Sequence, residues 1–332
     1  MSKDLADILN STIGPSDKVE GVKIWLDTGF PPLNKAVGGD YDKGMPVGRI
    51  VEMFGPESCG KTAIATNVMA NAQKMGGVAF FMDHERSFVP EVGESLGLNT
   101  SSHFVVKQPD TFESSVTSVI KSATAIRDND AIPEDAPIVV VFDSLASMLP
   151  QSKFAKDIDE QGMNDSLALA KACAAVFPTL ALYAEKLNML ILVLNQEREK
   201  PGVVYGDPTT TPGGKAPKFY ASVRIQIGRK KIMEQQKGGK EFVGQEIGCK
   251  VIKNKVAKPF QSAEWRFMFD ENGIGYFDVV GSMIDYLSGK ALIKRSGAYY
   301  EWKGKKYHRK QLIEVINEND ELPELKALLP TT

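Results

Sequence analysis

The sequence predicts an α/β protein built on a mostly parallel central sheet, and three observations carry that expectation. Short runs that are apolar throughout, such as PIVVVFD (137–143) and MLILVLN (189–195), have the length and Val/Ile/Leu content of strands buried on both faces. Segments of helical period lie between them. The two kinds alternate along much of the chain, as parallel strands joined by crossover helices do.

Taken in order, residues 1–12 place Leu5, Ile8 and Leu9 at helical spacing, a short amphipathic helix ahead of the polar, Gly-containing stretch 11–22. RIVEMF (49–54) reads as a strand and KTAIATNVMANAQK (61–74) as a helix. GVAFFMD (77–83) and HFVV (103–106) are strands, and TFESSVTSVIKSATAI (111–126) is a helix. A long helix over 166–187 separates the two apolar runs already quoted. The stretch EREKPGVVYGDPTTTPGGKAPKFY (197–220) then shows no period, and a loop that long inside a compact domain usually has a function. Beyond it ASVRIQIGRKKI (221–232), EIGCKVIKNKVA (246–257) and AEWRFMFD (263–270) read as successive strands, expected to be antiparallel and to extend the sheet. From about 278 short helices surround a basic hairpin, AYYEWKGKKYHRK (298–310), which suggests a small α+β C-terminal domain. The expected division is therefore 1–22, 23–277 and 278–332.

Composition narrows the function classes. Of 332 residues, 42% are hydrophobic and 25% charged, ordinary values for a soluble globular protein. No apolar run reaches 18 residues, and the apolar stretch at the N-terminus is too short for a signal peptide. Cys59, Cys173 and Cys249 are scattered and odd in number, which suits a reducing, cytoplasmic setting. Cys and His nowhere cluster at metal-ligand spacing, so no structural zinc site is expected. The net charge is only −2, but its distribution is uneven. Residues 196–260 carry fourteen basic side chains against six acidic ones, and 290–310 carry eight against one. A solvated lysine face is the commoner meaning of one charge run; two in a mildly acidic chain point to a polyanion held at defined places.

Residues 55–62, GPESCGKT, fit the phosphate loop G-x-x-x-x-G-K-[ST] between an expected strand and an expected helix. Gly55, Pro56, Glu57, Ser58, Cys59 and Gly60 form a backbone curl whose N–H groups face phosphate oxygens, helped by the positive end of the following helix. Lys61 neutralises β- and γ-phosphate charge, and Thr62 is a candidate Mg²⁺ ligand. Asp143, at the carboxyl end of PIVVVFD, is the second metal-site candidate. FFMDHERS ends another strand with Asp83 and Glu85; Glu85 is the candidate base for activating water, and Asp83 is expected to be structural.

The segments GPESCGKT, VVVFDSLASMLP, LVLNQ, GGKAPKFYASVRI and VIKNKVAKPF together resemble the bacterial RecA recombinases, in the family's order and near its spacing, over roughly residues 25–310. PGGKAPKFYASVR is close to a signature of that family, and a phage-encoded or divergent member would suit the short ends. The resemblance implies a RecA-like phosphate-loop ATPase core. It implies an ATP- and Mg²⁺-dependent recombinase that forms helical filaments on single-stranded DNA and exchanges that strand with a homologous duplex. It also assigns roles. Gln196 would sense the γ-phosphate, and residues 197–212 would be a DNA-binding loop ending at Gly213 and Gly214. Within and beside that loop, Arg198, Lys200 and Lys215 would meet phosphates, while Val204 and Tyr205 would insert between or stack on bases. Residues 152–165 would form a first DNA loop, followed by Lys171 on the next helix. Lys253 and Lys255 would reach the ATP of a neighbouring subunit. Val89 and Val92 stand where the family places an acid and an aromatic around the adenine, and Phe269 is the candidate to supply an aromatic. Loading or single-strand-binding proteins would be further partners.

Two other readings share such a core. A ring-shaped replicative helicase would normally bring an N-terminal helical domain for which these 332 residues have no room. A regulator would use the fold without strand exchange, against which the intact Lys61, Thr62, Glu85, Asp143, Lys253 and Lys255 argue. A small-molecule kinase would have no use for the basic 197–220 loop.

Overall fold

The computed structural model describes residues 4–5, 11–12, 21–160, 167–199, 209–236 and 239–330. The expected N-terminal helix and its linker fall almost wholly outside these residues. In chain order the described elements begin with β1 (Trp25–Leu26), α1 (Pro31–Gly38), β2 (Met45–Pro46), β3 (Ile50–Gly55), α2 (Lys61–Lys74), β4 (Val78–Asp83) and α3 (Pro90–Ser95). They continue with β5 (Phe104–Lys107), α4 (Phe112–Asp128), β6 (Ile138–Asp143), α5 (Gln151–Phe154), α6 (Ala168–Lys186), β7 (Met189–Gln196), β8 (Arg198–Glu199), β9 (Thr209–Thr210) and α7 (Ala216–Tyr220). The last are β10 (Val223–Gln236), β11 (Gly239–Asn254), β12 (Ser262–Phe269), β13 (Gly275–Asp278), α8 (Val279–Gly289), β14 (Arg295–Ser296), β15 (Tyr299–Trp302), β16 (Lys305–His308), α9 (Arg309–Glu318) and α10 (Leu322–Ala327).

Nine strands form one sheet in the order β13-β12-β11-β10-β3-β7-β6-β4-β5. The pairs from β10 through β3, β7, β6 and β4 to β5 are parallel. β11 and β12 add in antiparallel fashion beyond β10, as the sequence led one to expect, and β13, which it did not show, adds beyond them. The central strands read as unbroken apolar runs because both faces are covered. One face carries Val51, Met53, Ala79, Phe81, Val139, Val141, Leu190 and Leu192 against Ile64, Val68 and Met69 of α2. The other carries Phe80, Met82, Val140, Phe142, Ile191 and Val193 against Val116 and Val119 of α4 and Phe177 and Leu180 of α6. Alternate residues of each strand serve opposite layers, which is the period-two rule at work. Helix α6 is long and apolar enough by composition to cross a membrane, yet Ala172, Cys173, Phe177, Leu180 and Ala184 bury one stripe of it against the sheet.

Several elements were not legible as elements. The small β1–β2 hairpin and α1 between its strands are too short for a period to show, and α1 starts on two prolines, which suit a first helical turn. Helices α3 and α7, of six and five residues, hide inside stretches that read as loop. The ends of the long loop also pair: Arg198 opposite Thr210 and Glu199 opposite Thr209 form a two-stranded neck. Lys200, Val204 and Tyr205 lie outside the described residues, as does the 161–165 part of the expected first loop.

The C-terminal segment is a three-stranded sheet, β14-β15-β16, with α8, α9 and α10 around it. Met283, Ile284, Leu287, Tyr300, Trp302, Leu312, Ile316 and Leu325 belong to the same apolar cluster as one face of the main sheet. Tyr300 and Trp302 are thus core, with the Trp302 indole N–H donating to Glu321 at 2.6 Å; Tyr299 is exposed. Lys305 and Lys306 are exposed, but Arg309 is not free for a partner. Its guanidinium holds Asp285 at 2.9 Å and Asp278 at 3.2 Å, tying α9 to α8.

Phe81 is fully buried on β4, its ring 4.7 Å from that of Phe88. Phe81→Ala is expected to lower unfolding stability by about 3–5 kcal/mol, measured by chemical denaturation, with no change in the slope of the transition.

Candidate functional site

Strand β3 ends at Gly55 and helix α2 begins at Lys61, so the loop between them lies at the carboxyl edge of the sheet. The same edge receives the ends of β4, β6 and β7, which deliver Glu85, Asp143 and Gln196. Together with Glu57, Ser58, Cys59, Gly60, Lys61 and Thr62 these three line one open cleft of about 570 Å³. Gly60 has φ +87°, and a Cβ there would sit 2.6 Å from Ile247 Cδ1. The motif glycine is needed twice over, for its left-handed backbone and for the strand packed against it.

Lys61 is buried and donates to the loop's own carbonyls, Pro56 O at 2.7 Å and Gly55 O at 3.2 Å. Thr62 Oγ1 donates to Asp143 Oδ2 at 2.7 Å, joining the first turn of α2 to β6. Burial pushes the Asp143 carboxyl up to about 6, against the opposing hydrogen bond from Thr62. Burial also raises the Cys59 thiol, although Lys61 lies beside it. Among the described residues no group of three His, Cys, Asp or Glu gathers as a metal cage. One hydroxyl and one carboxylate beside a phosphate loop is the donor set of Mg²⁺, which is usually bound by one or two protein oxygens, substrate phosphates and water.

Glu85 is placed by backbone: the N–H groups of His84 and Glu85 both donate to the Asp143 carbonyl, at 2.7 and 3.1 Å. Its Oε1 accepts from Ser144 Oγ and from Gln196 Nε2, the latter at 3.4 Å. Asp83 is fully buried and accepts from Ser87 N, Phe88 N and Gln108 Nε2, so it shapes the turn after β4 and does not enter the cleft. Ser144 was missed in the sequence, where only the strand-end Asp carries a motif signal.

A second missed group lies beneath the long loop. Glu52, wholly buried on β3, accepts from Asn195 Nδ2 at 3.0 Å and from Arg224 Nε at 2.5 Å. Asn195 Nδ2 also donates to Pro212 O at 3.1 Å, and its Oδ1 accepts from Gln196 N at 3.0 Å. The residue before Gln196 thereby grips the far end of the loop. Beside Pro212, Thr211 Oγ1 is the one buried side-chain polar atom without a partner among the described residues.

The residues assigned to DNA fall into two groups. Arg198, Lys171 and Lys215 are exposed around the neck of the loop and the start of α6. Gly213 is buried instead: a Cβ would meet Leu145 Cδ2 at 2.8 Å and Pro217 Cγ at 2.9 Å, so packing alone requires glycine there. Gly214, also at positive φ, faces Ala170 of α6. Lys253 and Lys255 do not line the cleft of their own chain. Lys253 pairs with Arg224 across β10–β11, at the level of Glu52 and away from the phosphate loop, and its Nζ donates to the carbonyls of Lys218 and Phe219 at 2.6 and 2.8 Å. Burial, then the neighbouring Lys255 and Arg224 charges, lower its ammonium to about 8. Lys255 lies 5.6 Å from the ring of Phe219, an exposed aromatic. Phe269 does line the cleft, together with Phe242, 5.7 Å away ring to ring; Val89 and Val92 are exposed and do not.

Residues 13–275 match the RecA N-terminal domain family model. The chain is 39% identical over 279 residues to Protein RecA of Saccharopolyspora erythraea, covering 84% of this chain and 74% of that one. It is 36% identical over 303 residues to Protein RecA of Caldanaerobacter subterraneus, covering 90% and 81%. To Protein RecA of Chlorobaculum tepidum it is 35% identical over 314 residues, covering 93% and 83%.

His84 lies between the base candidate and the core, its Nε2 3.2 Å from Ser115 Oγ. Burial holds its imidazolium down at about 4, against the pull of Asp83 and with the help of Arg86. The unfolded chain therefore binds a proton that the folded one resists, and stability falls as pH drops from 6.5 to about 4. His84→Gln is expected to flatten that part of the acid limb in denaturation curves taken at successive pH values.

Proposed function

The chain belongs to the RecA family of recombinases, and from that premise we propose that it hydrolyses ATP in a DNA-dependent manner, assembles head to tail on single-stranded DNA and pairs it with a homologous duplex. The observation that carries the coupling is the contact of Gln196 with Glu85, at the point where β7 leaves the cleft and the long loop begins. The phosphate loop and Lys61 bind the triphosphate. Thr62 and Asp143 would hold Mg²⁺, which when bound draws charge off the phosphates. Glu85, fixed by the Asp143 carbonyl and by Ser144, orients and deprotonates water. Gln196 exchanges its bond to Glu85 for a phosphate oxygen, and Asn195 carries the change to Pro212 and the loop.

Lys253 and Lys255 serve a neighbour's nucleotide in this reading, since neither faces its own cleft. Heterologous contacts that do not close build helical filaments. Swapping a strand for an identical one is nearly balanced in free energy, so nucleotide binding selects the DNA-gripping state and hydrolysis releases it. Lys171, Arg198, Lys200 and Lys215 supply charge to the DNA, with Val204 and Tyr205 among its bases; Lys305 and Lys306 serve the duplex. The working place is the cytoplasm.

The direct test is ATP hydrolysis with and without poly-dT. Wild-type protein is expected to be stimulated at least tenfold and Lys61→Ala to be inactive under both conditions; hydrolysis indifferent to DNA would break the coupling and leave a regulator that borrows the fold. A mixing experiment tests the shared site. Lys253→Ala/Lys255→Ala and Lys61→Ala proteins, each inactive alone, are expected to regain part of the activity when combined, and a mixture as dead as its components would remove the inter-subunit role.

A further inference from the structure

Glu85 is exposed at the rim of the cleft, and its backbone N–H is held by the Asp143 carbonyl. That bond sets the backbone and leaves the carboxylate to be aimed by other groups. Two side chains aim it, Ser144 through its hydroxyl and Gln196 through its amide at 3.4 Å. Both donate to Oε1, which leaves Oε2 for water. The two donors are anchored differently. Gln196 is half-buried at the end of β7, where the long loop starts. Ser144 has no exposure, stands behind Glu85 and does not line the cleft. It leads into a single 3₁₀ turn, Leu145–Ser147, in which the Ser147 N–H donates to the Ser144 carbonyl at 3.0 Å. Leu145 pins this turn, being wholly buried and packed against Gly213. Ser147 is exposed, and its Oγ lies 3.3 Å from Ser144 Oγ. An ionised carboxylate only accepts, so the Ser144 proton goes to Glu85, and the Ser147 hydroxyl then donates to Ser144. Two hydroxyls in a row thus point at the base, each polarising the next.

We propose that Ser144, backed by Ser147, is a positioning residue for hydrolysis: it holds Oε1 of Glu85 once Gln196 has moved to a phosphate oxygen, so that Oε2 keeps its aim at the attacking water. This rests on the cleft being the ATP site and on Gln196 being its switch, as argued above. Before Gln196 moves, Ser144 is one of two supports of the carboxylate; afterwards, among the described residues, it alone remains. Its contribution to the rate therefore belongs mainly to the DNA-stimulated state. A residue that merely filled space behind β6 would matter equally in both states.

The experiment is steady-state ATP hydrolysis by the full chain over a range of ATP concentrations, with and without poly-dT. Ser144→Ala is expected to lower kcat about threefold without DNA and about thirtyfold with it, while KM stays within about twofold of wild type in both. Ser144→Thr, which keeps the hydroxyl, is expected to recover most of the loss. Ser147→Ala, at an exposed position, is expected to show the same pattern more weakly, about threefold with DNA, and it carries the test if Ser144→Ala does not fold. Equal losses with and without DNA, or a loss confined to KM, would make Ser144 structural only and overturn the assignment. Wild-type kinetics in Ser144→Ala, or in Ser147→Ala where that variant carries the test, would overturn it as well. Wild-type protein that poly-dT does not stimulate, or Lys61→Ala as active as wild type, would instead remove the premise, and the proposal with it.

Discussion

The arrangement turns on one buried carboxylate. Glu52 sits in the middle of the nine-stranded sheet with no exposure to water, where an unpaired charge would be very costly. Arg224 and Asn195 fill its two oxygens, and each comes from a strand next to β3. Three strands are thereby locked in register, and they are the three that matter most. β3 runs into the phosphate loop, β7 runs into Gln196, and β10 begins the antiparallel part of the sheet. The ion pair adds little net stability beyond what apolar side chains would give. Its contribution is specificity of alignment: a slip of one residue would strand a charge in the core.

From that alignment the cleft follows as a meeting of strand ends. Thr62 bridges to Asp143, the Asp143 carbonyl holds the backbone of Glu85, and Glu85 receives both Ser144 and Gln196. Apart from the backbone bonds to the Asp143 carbonyl the links join side chains, so a displacement at any one is felt by the others. The loop neck attaches at two points of this chain, through Gln196 at its start and through Asn195 to Pro212 at its end. Any movement of Gln196 is therefore felt at both ends of the long loop.

Most of this was legible in the sequence, for definable reasons. Phosphate loops are written in a local motif, and buried parallel strands in unbroken apolar runs; both survive without tertiary information. The antiparallel additions showed through β-branched alternation. What stayed hidden was decided by contact between distant segments. Ser144 follows a motif residue but gains its meaning only from Glu85, fifty-nine residues earlier. Glu52 and Arg224 look like ordinary surface charges until the sheet brings them together. Arg309 sits in the basic run 298–310, yet Asp278 at the end of β13 and Asp285 of α8 claim it. Gly213 read as part of a phosphate-gripping loop, while the space around it is filled by Leu145, Pro217 and Cys173.

The C-terminal segment carries one more consequence. Its apolar residues, from Met283 to Leu325, belong to the same continuous cluster as Val51, Phe81 and Leu192 of the central sheet. It is therefore a buttress of the ATPase core and not a bead on a string. Evolution could not trade it away or graft it elsewhere without repairing the wall it leaves open. Tyr300 and Trp302 of its hairpin are held by that cluster, while Lys305 and Lys306 at the tip lie outside it.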